Sequence, residues 1–260
     1  MSLEVKELSF SYGERSVLKN INFSASYGEF VSVLGPNGVG KSTLFRCILK
    51  LLLPTMGNTF IDGIPITEYT TPQLAHKIAY IPQSHHPIFN FNVLDMVLMG
   101  TNAQLNRFSA PGKKEITLAE ELLERLEISH LRNRGYSNLS GGERQLVLIA
   151  RAMAQKAKIL LMDEPSANLD FGNRIRLMQA IKRLTTEGYL VIQSTHDPDQ
   201  AYFYSDKILA LYEGQVKAFG SPKDTICNSL ISTLYGVNVE VTSMKNDTVR
   251  ICVPNNTIQV

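Results

Sequence analysis

The sequence of 260 residues predicts an α/β fold interrupted by a run of helices, and three observations carry that prediction. Phe30-Val31-Ser32-Val33-Leu34 is an apolar run of strand length that feeds a glycine-rich stretch, Gly35 to Thr43. After it, Leu44, Ile48, Leu51 and Leu52 recur at helical spacing, with Arg46 and Lys50 on another side. Similar apolar runs at Ile78-Ala79-Tyr80-Ile81, Ile159-Leu160-Leu161-Met162 and Tyr189-Leu190-Val191-Ile192 read as buried strands. Between the first and second of these, residues 84–156 hold helical patterns and no convincing strand.

In chain order, Leu3 to Phe10 alternates as a half-exposed strand does, Tyr12-Gly13 turns, and Val17, Leu18, Ile21 and Phe23 mark a second strand. Thr59-Phe60-Ile61 is a short strand before the Asp62-Gly63 turn, and Pro72 opens a short helix. Ser84-His85-His86-Pro87 reads as a solvated loop, because two adjacent histidines need further ligands to hold a metal. Phe89 and Phe91 fit equally a core position and a groove for a partner helix. Helices are expected over Val93 to Met99, Lys114 to Glu127 and around Leu146, Ile149, Ala150 and Met153. Arg174 to Thr186 is a further amphipathic helix, and Ile208 to Phe219 is a hairpin turning at Glu213-Gly214. Residues 221–236 read as one helix opened by Ser221-Pro222, and Asn238 to Val253 as a second hairpin.

Hydrophobic residues at 44% and charged residues at 19% suit a water-soluble globular chain. A net charge of +2 gives no support for nucleic-acid binding through bulk charge. Cys47, Cys227 and Cys252 are odd in number and lack C-x-x-C spacing, which argues against a disulfide framework or a zinc site. Cys47 lies one helical turn beyond the glycine stretch and reads as core, where a thiol reagent could block nucleotide. No run approaches a membrane span and Met1-Ser2-Leu3-Glu4 begins no signal peptide. A cytosolic chain, or one held at a membrane through a partner, is the expectation.

Gly35-Pro36-Asn37-Gly38-Val39-Gly40-Lys41-Ser42-Thr43 fits G-x-x-x-x-G-K-[ST], a loop that wraps nucleotide phosphates. Glycines let successive N–H groups turn to one anion, and the helix that follows adds its own unpaired N–H groups. Lys41 would reach the terminal phosphates and Ser42 would ligate Mg²⁺. The strand Ile159 to Met162 ends in Asp163-Glu164. A carboxylate at that place holds Mg²⁺ in proteins with such a loop, which assigns Asp163, and Glu164 would orient and polarise attacking water. Leu139-Ser140-Gly141-Gly142-Glu143-Arg144-Gln145 combines a capping box with a glycine-opened helix N-terminus.

That heptad, set between the glycine loop and Leu160 to Pro165, resembles the signature of ATP-binding-cassette (ABC) ATPases, and the resemblance covers nearly the whole chain. It implies a P-loop NTPase (RecA-like) core with a mixed sheet over residues 1–83 and 157–224, a helical signature subdomain over 84–156, and a short C-terminal extension over 225–260. Gln83 resembles the Q-loop glutamine, which contacts Mg²⁺ or water. Ser166 to Asp170 resembles the D-loop, His196 the switch histidine, and Tyr12 the aromatic residue that stacks on adenine. The cofactors implied are ATP and Mg²⁺. The partners implied are a second copy in a head-to-tail dimer, multi-span permease subunits and, indirectly, a substrate-binding protein, with no nucleic acid. Each ATP would lie between one copy's loop and the other's Ser140, Gly141 and Gly142.

Ile66 to Tyr69, Leu74 to Gln83 and Val93 to Gly100 are similar to ATPases of metal-chelate importers, which serve iron–siderophore, haem, cobalamin and some molybdate systems. The resemblance implies an ATP hydrolase peripheral to the cytoplasmic face of a bacterial inner membrane. Importers of molybdate, zinc or manganese, and a soluble ABC ATPase acting on ribosomes or DNA, remain as alternatives.

Overall fold

The computed structural model describes residues 2–83, 89–104 and 110–255. His85 and His86 lie outside them. The chain divides into two compact units, Met1–Glu68 with Ile192–Val260 and Tyr69–Val191.

The first unit opens with β1 (Leu3–Tyr12), β2 (Arg15–Ala25), β3 (Phe30–Leu34), α1 (Lys41–Ile48), β4 (Met56–Ile61) and β5 (Ile64–Pro65). The second holds α2 (Thr71–Ala75), β6 (Ile78–Ile81), α3 (Val93–Leu98), α4 (Lys113–Arg125), α5 (Gly141–Ala154), β7 (Ile159–Asp163) and α6 (Phe171–Thr186). Strand β8 (Leu190–Thr195) carries the chain back to the first unit. There follow α7 (Pro198–Tyr204), β9 (Lys207–Tyr212), β10 (Gln215–Gly220), α8 (Pro222–Thr225), α9 (Asn228–Tyr235), β11 (Val239–Met244) and β12 (Val249–Pro254).

In the first unit, β2-β1-β4-β5 form an antiparallel sheet, and β10-β9-β3-β8 lie side by side in a mixed one. Strand β3 is buried along its whole length and pairs in parallel with β9, Val31 opposite Lys207 and Leu34 opposite Ala210. An unbroken apolar run is what a strand covered on both faces requires. In the second unit β6 and β7 pair in parallel, Ile78 opposite Ile159 and Ile81 opposite Met162, and α5 packs on β6. Between those strands the described residues form helices and one isolated bridge, Asn92 to Gly135.

These unit boundaries differ from those drawn on the sequence at 83/84 and 156/157. Strands β6 and β7 group with the helices because they pair with each other and α5 packs on β6. Residues 225–255 group with the first unit because Ile226, Leu230, Ile231, Leu234 and Val239 share a core cluster with Leu34, Ala201, Tyr202 and Ile208.

Two expectations are corrected. Helix α1 stops at Ile48, and Leu51 is 68% exposed instead of extending the apolar face. Lys50 takes φ 58, its N–H reaches Cys47 O at 3.0 Å and Leu51 N–H reaches Arg46 O at 2.9 Å. That is a Schellman stop with lysine where glycine is usual, so its sequence signal was missing. Residues 221–236 are two helices, because Ile226 leaves α8 in an extended conformation to enter the core, 1% exposed.

Helix α5 is held close to the 3₁₀ turn Met99–Gln104 by a residue without a side chain. A Cβ added at Gly100 would sit 2.0 Å from the carbonyl oxygen of Arg151. We therefore expect Gly100→Ala to lower unfolding free energy by about 2–3 kcal/mol in urea titration. An unchanged midpoint at unchanged slope would show that the turn can move off α5 freely.

Candidate functional site

In the first unit, the glycine loop follows directly from β3. Gly35 N–H donates to Thr195 O at 3.3 Å, and a Cβ there would lie 2.6 Å from Leu211 O, so only glycine fits. Gly38 and Gly40 take φ 80 and φ 114, the left-handed region that glycine enters without cost. A Cβ on Gly38 would meet no atom within 4 Å, whereas on Gly40 it would press on Leu18 and Val17. Lys41 is buried, and its Nζ donates to the carbonyls of Gly35 at 2.7 Å and Pro36 at 3.1 Å. Ser42 is exposed and Thr43 half-buried in the first turn of α1. That helix has no side-chain cap and no acidic residue in its first turn, so nothing of its own sequence competes for an anion there.

The same loop is joined to the residue expected to act as the switch. Thr195, whose carbonyl holds Gly35, precedes His196, and Asp197 N–H donates to the Thr195 hydroxyl at 3.1 Å. Asp197 caps α7 through Gln200 N–H at 2.9 Å. The His196 side of this turn is exposed. Tyr12 closes β1 at 45% exposure, in a T-shaped contact with Phe10 at 4.8 Å between ring centroids.

The second unit gathers the remaining candidates. Asp163 ends β7 buried, with Tyr80 OH donating to its Oδ2 at 3.3 Å. Glu164 follows, half-buried at φ 43. Ser140 caps α5 in a full capping box: Glu143 N–H reaches its hydroxyl at 3.3 Å, and Ser140 N–H reaches Glu143 Oε2 at 2.7 Å. Those hydrogen bonds, with Arg134 nearby, hold the Glu143 carboxyl below the ordinary carboxylate range. A Cβ on Gly141 would lie 3.0 Å from Leu169 Cδ2, and on Gly142 3.1 Å from Asn173 Cβ. Asp170 caps α6, taking Asn173 N–H at 2.8 Å and its amide at 2.7 Å, which pulls its carboxyl pKa down. Gly142 and Asp170 therefore meet at one residue, Asn173, while Gly141 lies against Leu169.

Gln83 is exposed, and its carbonyl accepts from Gln145 Nε2 at 2.9 Å. Gln145 is buried, and no signal in the heptad pointed to that contact. Phe89 is 69% exposed, which removes the core reading for it, while Phe91 is half-buried beside it with ring centroids 6.1 Å apart. Among the described residues no cluster of three or more His, Cys, Asp or Glu could hold a metal, and no helix is long and apolar enough to cross a membrane.

The geometry of the loop is that of a nucleotide-phosphate cradle, and comparison with known proteins agrees. The family described as ABC transporter matches residues 18–167, more than half of the 260, and the chain belongs to that family. Within it the chain is an ATP-binding, ATP-hydrolysing subunit. An ABC transporter ATP-binding protein of Haemophilus influenzae is 41% identical over 93% of this chain and 92% of its own length. The ferric enterobactin transport ATP-binding protein of Escherichia coli is 32% identical over 90% of this chain and 87% of its own. A solved metal-chelate type ABC transporter, in an inward-facing conformation, superposes with a TM-score of 0.87 at 30% identity and covers 98% of both chains.

Cys47 is core, as its spacing suggested, but it offers no handle on nucleotide. It is fully buried, and burial pushes its thiol up to about 11. Burial likewise pushes Cys252 up to about 12, while the Ser229 hydroxyl beside exposed Cys227 lowers that thiol. Because the thiolate is the nucleophile, alkylation of the folded chain at pH 8 should mark Cys227 first, with a pH midpoint below the ordinary thiol value of 9.0. Peptide mass spectrometry showing Cys47 labelled as fast as Cys227 would contradict this assignment.

Proposed function

We propose that this chain drives uptake of a metal chelate, of the iron–siderophore, haem or cobalamin kind, through a separate multi-span permease at the cytoplasmic face of the membrane. The observation that carries the reading is the likeness over nearly the whole chain to a ferric enterobactin ATPase and a metal-chelate type transporter. In functional terms, residues 1–83 and 157–224 are the nucleotide core, 84–156 the signature part, and 225–260 an extension. The exposed Phe89 suits contact with the permease. A substrate-binding protein would act upstream of the permease, and no nucleic acid is involved.

The roles follow the residues. Gly35, Pro36, Asn37, Gly38, Val39 and Gly40 turn main-chain N–H groups to the phosphates. Lys41 exchanges its loop carbonyls for β- and γ-phosphate oxygens, and Thr43 lies in the turn that holds the α-phosphate end. Tyr12 stacks on adenine. The donor set proposed for Mg²⁺ is the Ser42 hydroxyl, the Asp163 carboxylate and the Gln83 side chain, all hard oxygens of the type Mg²⁺ prefers, so the residues fit the ion. Bound there, Mg²⁺ would neutralise charge on the phosphoryl oxygens. Glu164 orients and polarises the attacking water, and His196 stabilises the γ-phosphate end. Ser140, Gly141 and Gly142 of a second copy bring a helix N-terminus to the same phosphate, and Asp170 holds the D-loop beside them.

If Glu164 has this role, Glu164→Gln keeps ATP affinity and cuts steady-state hydrolysis by at least about a hundredfold, with an ATP-dependent dimer seen by light scattering. Undiminished turnover refutes the role. If the signature acts in trans, Gly141→Ala still binds ATP at its own Lys41 but hydrolyses poorly, and mixing it with a Lys41→Ala chain restores one working site. No recovery in the mixture points to a site complete within one chain. The import reading itself is tested by affinity purification from membranes of the native host: recovery of a multi-span permease supports it, and recovery with ribosomes or DNA overturns it.

A further inference from the structure

Residues 225–255 carry none of the roles above, yet they are fastened to one place. Helix α9 buries Leu230, Ile231 and Leu234 in a cluster with Leu34, Ala201 and Tyr202. From its last turn the Tyr235 hydroxyl donates to the carbonyl oxygen of His196 at 2.8 Å. The hairpin β11–β12 holds α7, the helix that follows His196. Cys252 N–H donates to Asp199 Oδ1 at 2.9 Å, and Tyr202 OH donates to Asp247 O at 3.0 Å. Arg250 in turn fixes the hairpin, gripping Asp247 through Nε at 2.7 Å and Nη2 at 3.0 Å and the carbonyls of Lys223 and Ile226 at 2.8 Å each. These links converge on residues 196–202, directly after Thr195, whose carbonyl holds Gly35 of the phosphate loop.

We propose that the C-terminal module sets the position of the His196 turn, with Tyr235 as its positioning residue. The inference rests on the reading of His196 as the group at the γ-phosphate end. Between the end of β8 and Pro198, the first residue of α7, only His196 and Asp197 are free of regular structure. The peptide that follows His196 is therefore held at both of its polar groups, its N–H by the Thr195 hydroxyl at 3.1 Å and its carbonyl by Tyr235. A phenol hydroxyl on a rigid ring, carried by a helix whose apolar face is buried, fixes that oxygen within a narrow range. A shift of this peptide, as distinct from a turn in place, would carry with it the Cα from which the imidazole projects. The module thus acts on hydrolysis without touching nucleotide, and a partner that draws α9 or the hairpin away would slow the turnover step.

The test uses the full-length chain and single-turnover ATP hydrolysis, which keeps slow variants measurable. Tyr235→Phe should lower the hydrolysis rate about fivefold, the scale of one hydrogen bond, with the ATP concentration for half-saturation unchanged. Thr233→Ala removes another hydroxyl from the same helix, one bonded to Ser229 O at 2.7 Å, and should leave the rate as it is. In a His196→Ala background, Tyr235→Phe should cost nothing further, because the residue acts only through His196. Amide exchange in the peptide spanning residues 193–200 should quicken in Tyr235→Phe. An unchanged rate in Tyr235→Phe, an equal loss in both backgrounds, or an equal loss in Thr233→Ala overturns the proposal alone. Wild-type hydrolysis by His196→Ala overturns the reading of His196 and this proposal with it.

Discussion

The close approach of main chain to main chain at Gly35 is the constraint on which the first unit's chemistry depends. Its N–H meets Thr195 O at 3.3 Å, and its α-carbon leaves no room for a side chain against Leu211 O. The end of β3 is thereby wedged between the ends of β8 and β9. A strand buried along its whole length supplies the rigid stem, and the loop that leaves it starts from a fixed point. The buried ammonium of Lys41 then bridges two carbonyls of the loop it serves, so the loop's shape does not wait for a ligand. Preorganisation of this kind is worth more at a phosphate than any one contact, because the N–H groups need not be turned when the anion arrives.

A second arrangement governs the signature end. The capping box needs Ser140 and Glu143, and it would form with almost any residues between them. The glycines answer a different demand. Gly142 sits against Asn173, and Asn173 is held in place by both oxygens of Asp170. A side chain at Gly142 would displace the residue that Asp170 caps, and so disturb the start of α6 along with that of α5. Gln145, three residues on, fastens the same helix to the carbonyl of Gln83. Helix α5 therefore reports the position of its first turn to two segments that the proposed mechanism uses.

Most of the fold was legible in the sequence because buried strands announce themselves as apolar runs and helix starts as caps. The β3–loop–α1 order, the Ser140 capping box, the helix opened by Pro72 and the two C-terminal hairpins all follow from local chemistry. What escaped was either a stop without its usual residue or a contact between distant residues. Lys50 ends α1 in a conformation for which lysine gives no signal. Ile226 breaks a helix because the core needs it, which no local rule foresees. The pairs Gln145 with Gln83 and Tyr235 with His196 are separated by 62 and 39 positions, and neither member has a composition that names its partner. The site residues were legible as types, while the hydrogen bonds that position them were not.

Glu164 shows how a backbone angle adds to a reading of residue types. Several glutamates here have positive φ: Glu7, Glu127, Glu213 and Glu164. The first three are exposed and lie in a strand irregularity, past a helix end or in a hairpin turn. Glu164 is half-buried and follows a strand buried through Asp163, and its carbonyl takes Ala167 N–H at 3.0 Å to close the turn. A non-glycine residue in that conformation costs of order 1–3 kcal/mol. Glycine would remove the strain, and asparagine would reduce it, as at Asn168, φ 63, in the same turn. Either change would delete the carboxylate. A strained, half-buried acid placed directly after a buried one fits the water-orienting role proposed for Glu164, because backbone strain of this kind collects at functional sites.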